Sequence, residues 1–137
     1  MQTILDSNVV LDLIQPQQAW VHWSSRQVSA CANAGPLVVN TIVYAEISSQ
    51  YHLHEEVQRS LVNFGIILEE IPWMAAFQAG KAHRAYRRAG GRQERLLPDF
   101  LIGAHADVNG YRLLTRDQAR YRSYFPALDI IAPDTHP

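Results

Sequence analysis

Leu97 to Asp117 is the stretch of this 137-residue chain whose residue types and spacing most directly suggest chemistry. Pro98-Asp99 puts a carboxylate in the first turn of an amphipathic helix. Asn109-Gly110 supplies a turn, Tyr111 to Leu114 is a short apolar strand, and Thr115-Arg116-Asp117 brings a second carboxylate. In an open parallel α/β sheet, a helix that leads into a strand begins at the edge where that strand ends. Asp99 and Asp117, 18 residues apart, are therefore expected to face one crevice. Two more acids occupy comparable places. Asp6 closes the apolar run Thr3 to Leu5, and Glu46 falls in the second turn of a helix capped by Asn40-Thr41.

Each acid also has an ordinary explanation. Asp99 suits a helix dipole, Asp117 a turn or cap, Asp6 an N-cap, and Glu46 an exposed helix face. Gathered at one edge, four like charges repel unless something positive stands among them. Hard oxygen donors without Cys or paired His point to Mg²⁺ or Mn²⁺ rather than zinc. Such an ion activates water and stabilises charge building on a phosphoryl group, which is the apparatus for phosphodiester hydrolysis. Asn8 and Thr115 are short polar side chains placed beside the acids to bind a ligand water or a phosphate oxygen. A phosphatase or phosphotransferase with Asp6 as nucleophile is the alternative, although Asn8 stands where such enzymes need a second acid. The scattered histidines, His52, His54, His83 and His105 among them, receive no catalytic role. No Ser-His-Asp order, Gly-rich phosphate loop or dinucleotide fingerprint is present.

The elements that must position these residues alternate. Strands are expected at Thr3 to Leu5, Pro36 to Val39, Ile66 to Leu68, Tyr111 to Leu114 and Leu128 to Ile131. The helix after Asp6 is closed by Pro16. A second runs from Gln18 to Ala34 with Trp20, Val28 and Cys31 inward. Others follow Asn40, run from His54 to Phe64 and from Trp73 to Ala89, and a helical turn follows Asp117 through Arg122. The pattern predicts one α/β domain over residues 1–137, a parallel central sheet of short strands with helices on both faces. The apolar stripe carrying Trp20 and Trp23 is either core or a partner surface.

Composition agrees with a folded single domain, at 47% apolar residues and a formal net charge of −1. No run is long enough to span a membrane, and the N-terminus lacks the basic start of a secretory signal. The lone Cys31 fits a reducing, cytoplasmic setting. Eleven of the twelve basic residues are Arg. Lys81, Arg84, Arg87, Arg88, Arg92 and Arg95 against Glu94 give one segment a charge of +5, and Arg112, Arg116, Arg120 and Arg122 bracket Asp117. Either cluster is a solvated face or, beside acids of this kind, a set of phosphate contacts, with Arg84, Arg87, Arg88, Arg92, Arg95 and Arg116 the candidates. Tyr86, Tyr121 and Tyr124 are base-stacking candidates of which at least two are expected to be packing residues.

Four segments together resemble the PIN-domain family, in particular the VapC-like toxin ribonucleases of bacterial type II toxin–antitoxin pairs. They are Ile4 to Val9, Tyr44-Ala45-Glu46-Ile47, Pro98 to Ile102 with Ala104 and Ala106, and Leu113 to Asp117. They occur in order and cover nearly the whole chain. The resemblance implies a PIN-like fold with an acidic site at the C-terminal edge of the strands. It implies an endoribonuclease that hydrolyses RNA with metal-activated water, a homodimer, and a small cognate antitoxin. Asp6, Glu46, Asp99 and Asp117 would hold Mg²⁺, with Mn²⁺ as a substitute and Thr115 as a polar helper. A non-cleaving RNA- or protein-binding PIN module is the non-enzymatic alternative, and the four intact acids oppose it. Gly103 departs from the family's usual helix former and is read as permitting close packing. Asp12 is an extra acid, read as solvated or paired with Arg. Asp6→Asn or Asp99→Asn is expected to abolish cleavage and leave folding intact.

Overall fold

The alternation of short apolar runs and helical patterns folds as expected. The computed structural model describes residues 1–15, 19–91 and 97–137. Strands β1 (Thr3–Leu5), β2 (Leu37–Asn40), β3 (Ile66–Glu69), β4 (Arg112–Leu114) and β5 (Ile130–Ile131) form one parallel sheet in the order β3-β2-β1-β4-β5. It is flanked by helices α1 (Ser7–Ile14), α2 (Val21–Ala34), α3 (Thr41–Ser48), α4 (His54–Asn63), α5 (Trp73–Arg88) and α6 (Leu97–Asn109). The chain winds outward from β1 through β2 to β3, then returns to place β4 on the other side of β1. That reversal opens a crevice beyond the C-terminal ends of β1 and β4.

The central strands are apolar because both of their faces are covered. Ile4, Leu5, Val38, Val39, Leu113 and Leu114 are all buried. The edge strand β3 leaves Ile67 and Leu68 exposed, and Trp73, Met74 and Phe77 on α5 are exposed as well. Among the described residues no helix is long and apolar enough to cross a membrane.

Side-chain caps start the helices that matter to the crevice. Asp6 caps α1, and Asn40 caps α3 by accepting from the Ile42 and Val43 N–H groups at 3.0 and 3.1 Å. At the other end of α6, Gly110 adopts φ 67°, the left-handed turn that sends the chain into β4. Pro16 and Gln18, expected at the end of one helix and the start of the next, lie outside the described residues.

Several expectations need correction. Trp20 is not inward: it precedes α2, is 40% exposed, and meets the buried Trp23 edge to face at 6.0 Å. Trp23 is core, with its indole N–H donating to the His136 carbonyl at 2.7 Å. The turn after Asp117 is a short 3₁₀ segment, Gln118–Arg120, and β5 is only two residues long. Of the two readings of Asp12, solvated or paired with Arg, the first is overturned and the second holds. Asp12 is fully buried, accepts from Ser24 Oγ at 2.6 Å, and stands 2.9 Å from Arg116 Nε. That N–H lies outside hydrogen-bond geometry, so the contact is an ion pair by distance only.

The reading of Gly103 holds in a specific form. A Cβ built there would lie 2.5 Å from the Phe125 ring and 3.0 Å from the Tyr121 ring. Those rings press directly on the backbone of α6. Gly103→Ala is expected to destabilise by about 1–3 kcal/mol through overpacking, more than the ~1 kcal/mol a helix gains from Ala over Gly. Urea denaturation of the two proteins checks this, and equal or greater stability of the variant would contradict the close packing.

Candidate active site

Asp6 sits where β1 ends and α1 begins, almost fully buried. Its backbone N–H donates to the Leu114 carbonyl at 2.9 Å, which seats it beside the end of β4. Its carboxylate is surrounded by donors. The Ser7 N–H reaches Oδ1 at 2.7 Å, while the Thr115 and Tyr121 hydroxyls both reach Oδ2 at 2.8 Å. Asn8 Nδ2 lies 3.5 Å from Asp6 Oδ2 and from Thr115 Oγ1. Asn8 Oδ1 and Thr115 Oγ1 in turn accept the N–H groups of Arg116 and Asp117, at 3.2 and 3.0 Å. Asn8 and Thr115, expected to support the acids, thus fix the loop that carries Asp117.

Tyr121 is the partner that sequence reasoning missed. It was a stacking candidate, yet it is completely buried. Burial first, then the charge of Asp6, raises its phenol well above the ordinary tyrosine value, so it remains a donor. The other two tyrosines pack as well. Tyr86 and Tyr124 meet Phe100 at 5.7 and 5.4 Å between ring centroids, and each other at 5.8 Å.

Asp99 lies in the first turn of α6 and is nearly buried, and Asp117 is half-exposed after β4. Arg120 joins them. Its Nε is 2.8 Å from Asp117 Oδ2 and its Nη1 is 3.4 Å from Asp99 Oδ1. Burial alone would lower the guanidinium pKa, but Asp99, Asp117 and Asp6 outweigh it and raise it above its ordinary value. The expected convergence of Asp99 and Asp117 on one crevice is therefore seen through a shared arginine.

Glu46, on α3, remains exposed at its surface. Its carboxyl is nevertheless raised above the ordinary value, first by partial loss of hydration, then by Asp6 and Asp99, against a Ser7 hydrogen bond and Arg120. The helices carrying Glu46 and Asp99 are braced by a histidine. His105, fully buried on α6, lies 2.8 Å from Glu69 Oε1 through Nε2 and 3.3 Å from Asn40 Nδ2 through Nδ1. Glu69 also accepts from Asn109 and Tyr111, and Asn40 is the cap of α3. The histidine tautomer that donates from Nε2 and accepts at Nδ1 satisfies every partner.

Of the basic candidates, Arg84, Arg87 and Arg88 are exposed and line, with Gly80 and His83, an open cavity of about 420 Å³ along α5. The His83 and Tyr86 rings lie against Phe100, the neighbour of Asp99, at 5.4 and 5.7 Å. The basic end of α5 is thereby set beside the acidic end of α6. Arg116 is engaged by Asp12 and by the Trp20 ring at 5.8 Å. Arg92 and Arg95 lie outside the described residues.

The donor set fits a hard divalent cation in kind, because all four acids offer oxygen and they share one electrostatic neighbourhood. Among the described residues, no three Asp, Glu, His or Cys side chains already stand as a set that would hold an ion.

The model of the PIN domain family matches residues 3–125. The chain belongs to the PIN domain family. No curated protein sequence matches it. Its fold is similar to that of solved toxin–antitoxin structures at low identity. VapBC2 from Rickettsia felis, bound to a DNA fragment from its promoter, gives a TM-score of 0.73 at 19% identity, over 96% of this chain and 98% of that one. VapBC-1 from nontypeable Haemophilus influenzae gives 0.72 at 19% over the same shares. FitAcB from Neisseria gonorrhoeae gives 0.68 at 18%, over 98% and 99%. The PIN fold expected from the sequence, a parallel sheet between helices, is the fold observed.

The raised carboxyl of Glu46 has a consequence for the metal-free protein. A carboxyl whose folded pKa exceeds its unfolded value binds its proton more tightly when folded, so stability falls as pH rises through the interval between the two. Glu46→Gln is expected to melt above the unsubstituted protein at neutral pH. The gap should close below the ordinary glutamate value of 4.5. Thermal melts across pH, in EDTA, would show it, and a gap that widens in acid would refute it.

Proposed function

We propose that this PIN domain is a divalent-metal-dependent endoribonuclease and the toxin of a type II toxin–antitoxin pair. The observation that carries this reading is the crevice at the β1/β4 reversal, where Asp6, Asp99 and Asp117 from separate elements meet, with Glu46 in their field. Asp6, Glu46, Asp99 and Asp117 are the residues that would hold Mg²⁺, or Mn²⁺ in its place. The bound ion would supply a more acidic water and stabilisation of phosphoryl charge. The chain's own residues do the rest. Ser7, Thr115 and Tyr121 hold Asp6 in one orientation. Arg84, Arg87 and Arg88 draw the RNA backbone to the side of α6 that carries Asp99.

The phosphotransferase alternative is opposed by Asn8, which stands where such enzymes need a second acid and whose side chain is engaged with Thr115 and the Arg116 N–H. The toxin reading also gives the chain an antitoxin partner, a second copy of itself and a cytoplasmic site of action. The exposed Trp73, Met74 and Phe77 are apolar side chains of the kind such contacts cover.

Purified protein with total cellular RNA should give discrete fragments in Mg²⁺ or Mn²⁺ and none in EDTA. Asp99→Asn and Asp117→Asn are the cleaner inactive controls. Asp6→Asn would turn an amide N–H₂ or a weaker acceptor toward three donors, so the expectation that it leaves folding intact no longer holds. Activity of both variants equal to that of the unsubstituted protein would remove the acids from the mechanism. Metal-independent RNA binding without cutting would favour the non-cleaving module.

Replacing Arg84, Arg87 and Arg88 together with Ala should weaken binding of single-stranded RNA. It should also lower the slope of log K against log salt by roughly 0.7 per lost phosphate contact. An unchanged slope would make these arginines a solvated face.

A further inference from the structure

The positive charge among the acids comes from within the chain. Arg120 lies on the 3₁₀ turn, three residues after Asp117, and its guanidinium reaches both Asp117 and Asp99. These two acids come from different elements, and the planar fork of an arginine is suited to bridging two carboxylates. Arg120 is distinct from its neighbours. Arg116 faces the buried Asp12, and Arg122 bonds Gln118.

Two features make the bridge breakable. The Arg120 side chain is 43% exposed and that of its nearer partner Asp117 42%, so water reaches both ends of that pair. A pair in water is screened and weak, and the contact with the more buried Asp99 is the longer of the two, at 3.4 Å against 2.8 Å. A divalent cation taking oxygens of Asp99 and Asp117 needs lone pairs that the guanidinium now uses, and two cations within a few ångströms repel.

Building on the nuclease reading above, we propose that Arg120 is an internal counter-ion that holds Asp99 and Asp117 in the metal-free protein and that a divalent cation displaces. The acids are then never left to repel one another. The guanidinium occupies them until metal is abundant enough to compete, and Arg120 raises the metal concentration at which the site fills. A guanidinium released from the acids stays tethered at the rim, among the arginines that bracket Asp117.

Calorimetric titration of Mn²⁺ into folded protein, without RNA, tests this at the level of binding. Arg120→Gln is expected to bind Mn²⁺ roughly three- to tenfold more tightly than the unsubstituted chain. Arg120→Lys, which keeps the charge but loses the fork, should fall between them. In the unsubstituted protein, the Arg120 Nε–H resonance, identified by its loss in Arg120→Gln, should shift as Mg²⁺ saturates the site. Equal or weaker Mn²⁺ binding by Arg120→Gln, or an Nε–H signal unmoved at saturation, would overturn the displacement and leave the metal site standing. Absence of Mn²⁺ binding by all three proteins, each shown folded by its melting transition, would overturn the metal reading and this inference with it.

Discussion

The hydrogen bonds that Thr115 and Tyr121 donate to the buried carboxylate of Asp6 are the constraint on which the site depends. An ionised carboxylate removed from water is tolerated only when donors replace its hydration. Here the replacement comes from one backbone N–H and two hydroxyls, all within 2.8 Å. The same bonds do mechanical work. They tie the end of β1 to the end of β4 and to the segment after the 3₁₀ turn, so the acid and the loop bearing Asp117 cannot separate without exposing unpaired polar groups. The tight seat of Tyr121 against Gly103 extends that constraint into α6, the helix of Asp99.

Two kinds of polar contact surround this anchor, and their burial gives them different parts. The Asn40–His105 pair is inside the protein and runs out to the partly exposed Glu69, with each group satisfied by another, and it braces the helices that bear Glu46 and Asp99. The Arg120 bridge stands at the rim, its guanidinium and Asp117 reaching water while Asp99 lies largely buried. Buried networks fix geometry because breaking them leaves unpaired groups in a low dielectric. Rim ion pairs exchange partners readily because water waits on either side. The arrangement is a rigid frame around an adjustable centre of charge.

Much of the frame was legible in the sequence because it depends on local signals. Apolar runs of three or four residues, Asn40 before a helix, Pro98 in a first turn and Gly110 after α6 each determine structure within a few positions. The placement of Asp6, Asp99 and Asp117 around one crevice follows from strand–helix alternation. What could not be read was pairing. An arginine partner is one of two readings the sequence allows for Asp12, but which arginine it is, the full burial and the Ser24 hydroxyl come only from the fold. Tyr121 and Arg120 sit in a run of arginines and tyrosines that is as suitable for RNA as for structure. Their hydroxyl and guanidinium are assigned by distances that sequence spacing does not contain. Trp20 misled because its apolar ring suggested burial, whereas its place before the first turn of α2 leaves it at the surface.

The separation of Asp6 from its donors along the chain bears on how the protein is made. Thr115 and Tyr121 lie 109 and 115 residues after Asp6. At a synthesis rate of ~5–20 residues per second, Asp6 exists for roughly 5–20 s before either hydroxyl is added. Strand β4, which slots in beside β1, is also absent through that interval, and contacts this distant in sequence form slowly. An incomplete chain therefore carries the first acid without the means to bury it, and without Asp117 or Arg120. The crevice comes into being only when β4 and the segment through Tyr121 dock beside β1, so a chain that stops before them has no assembled site.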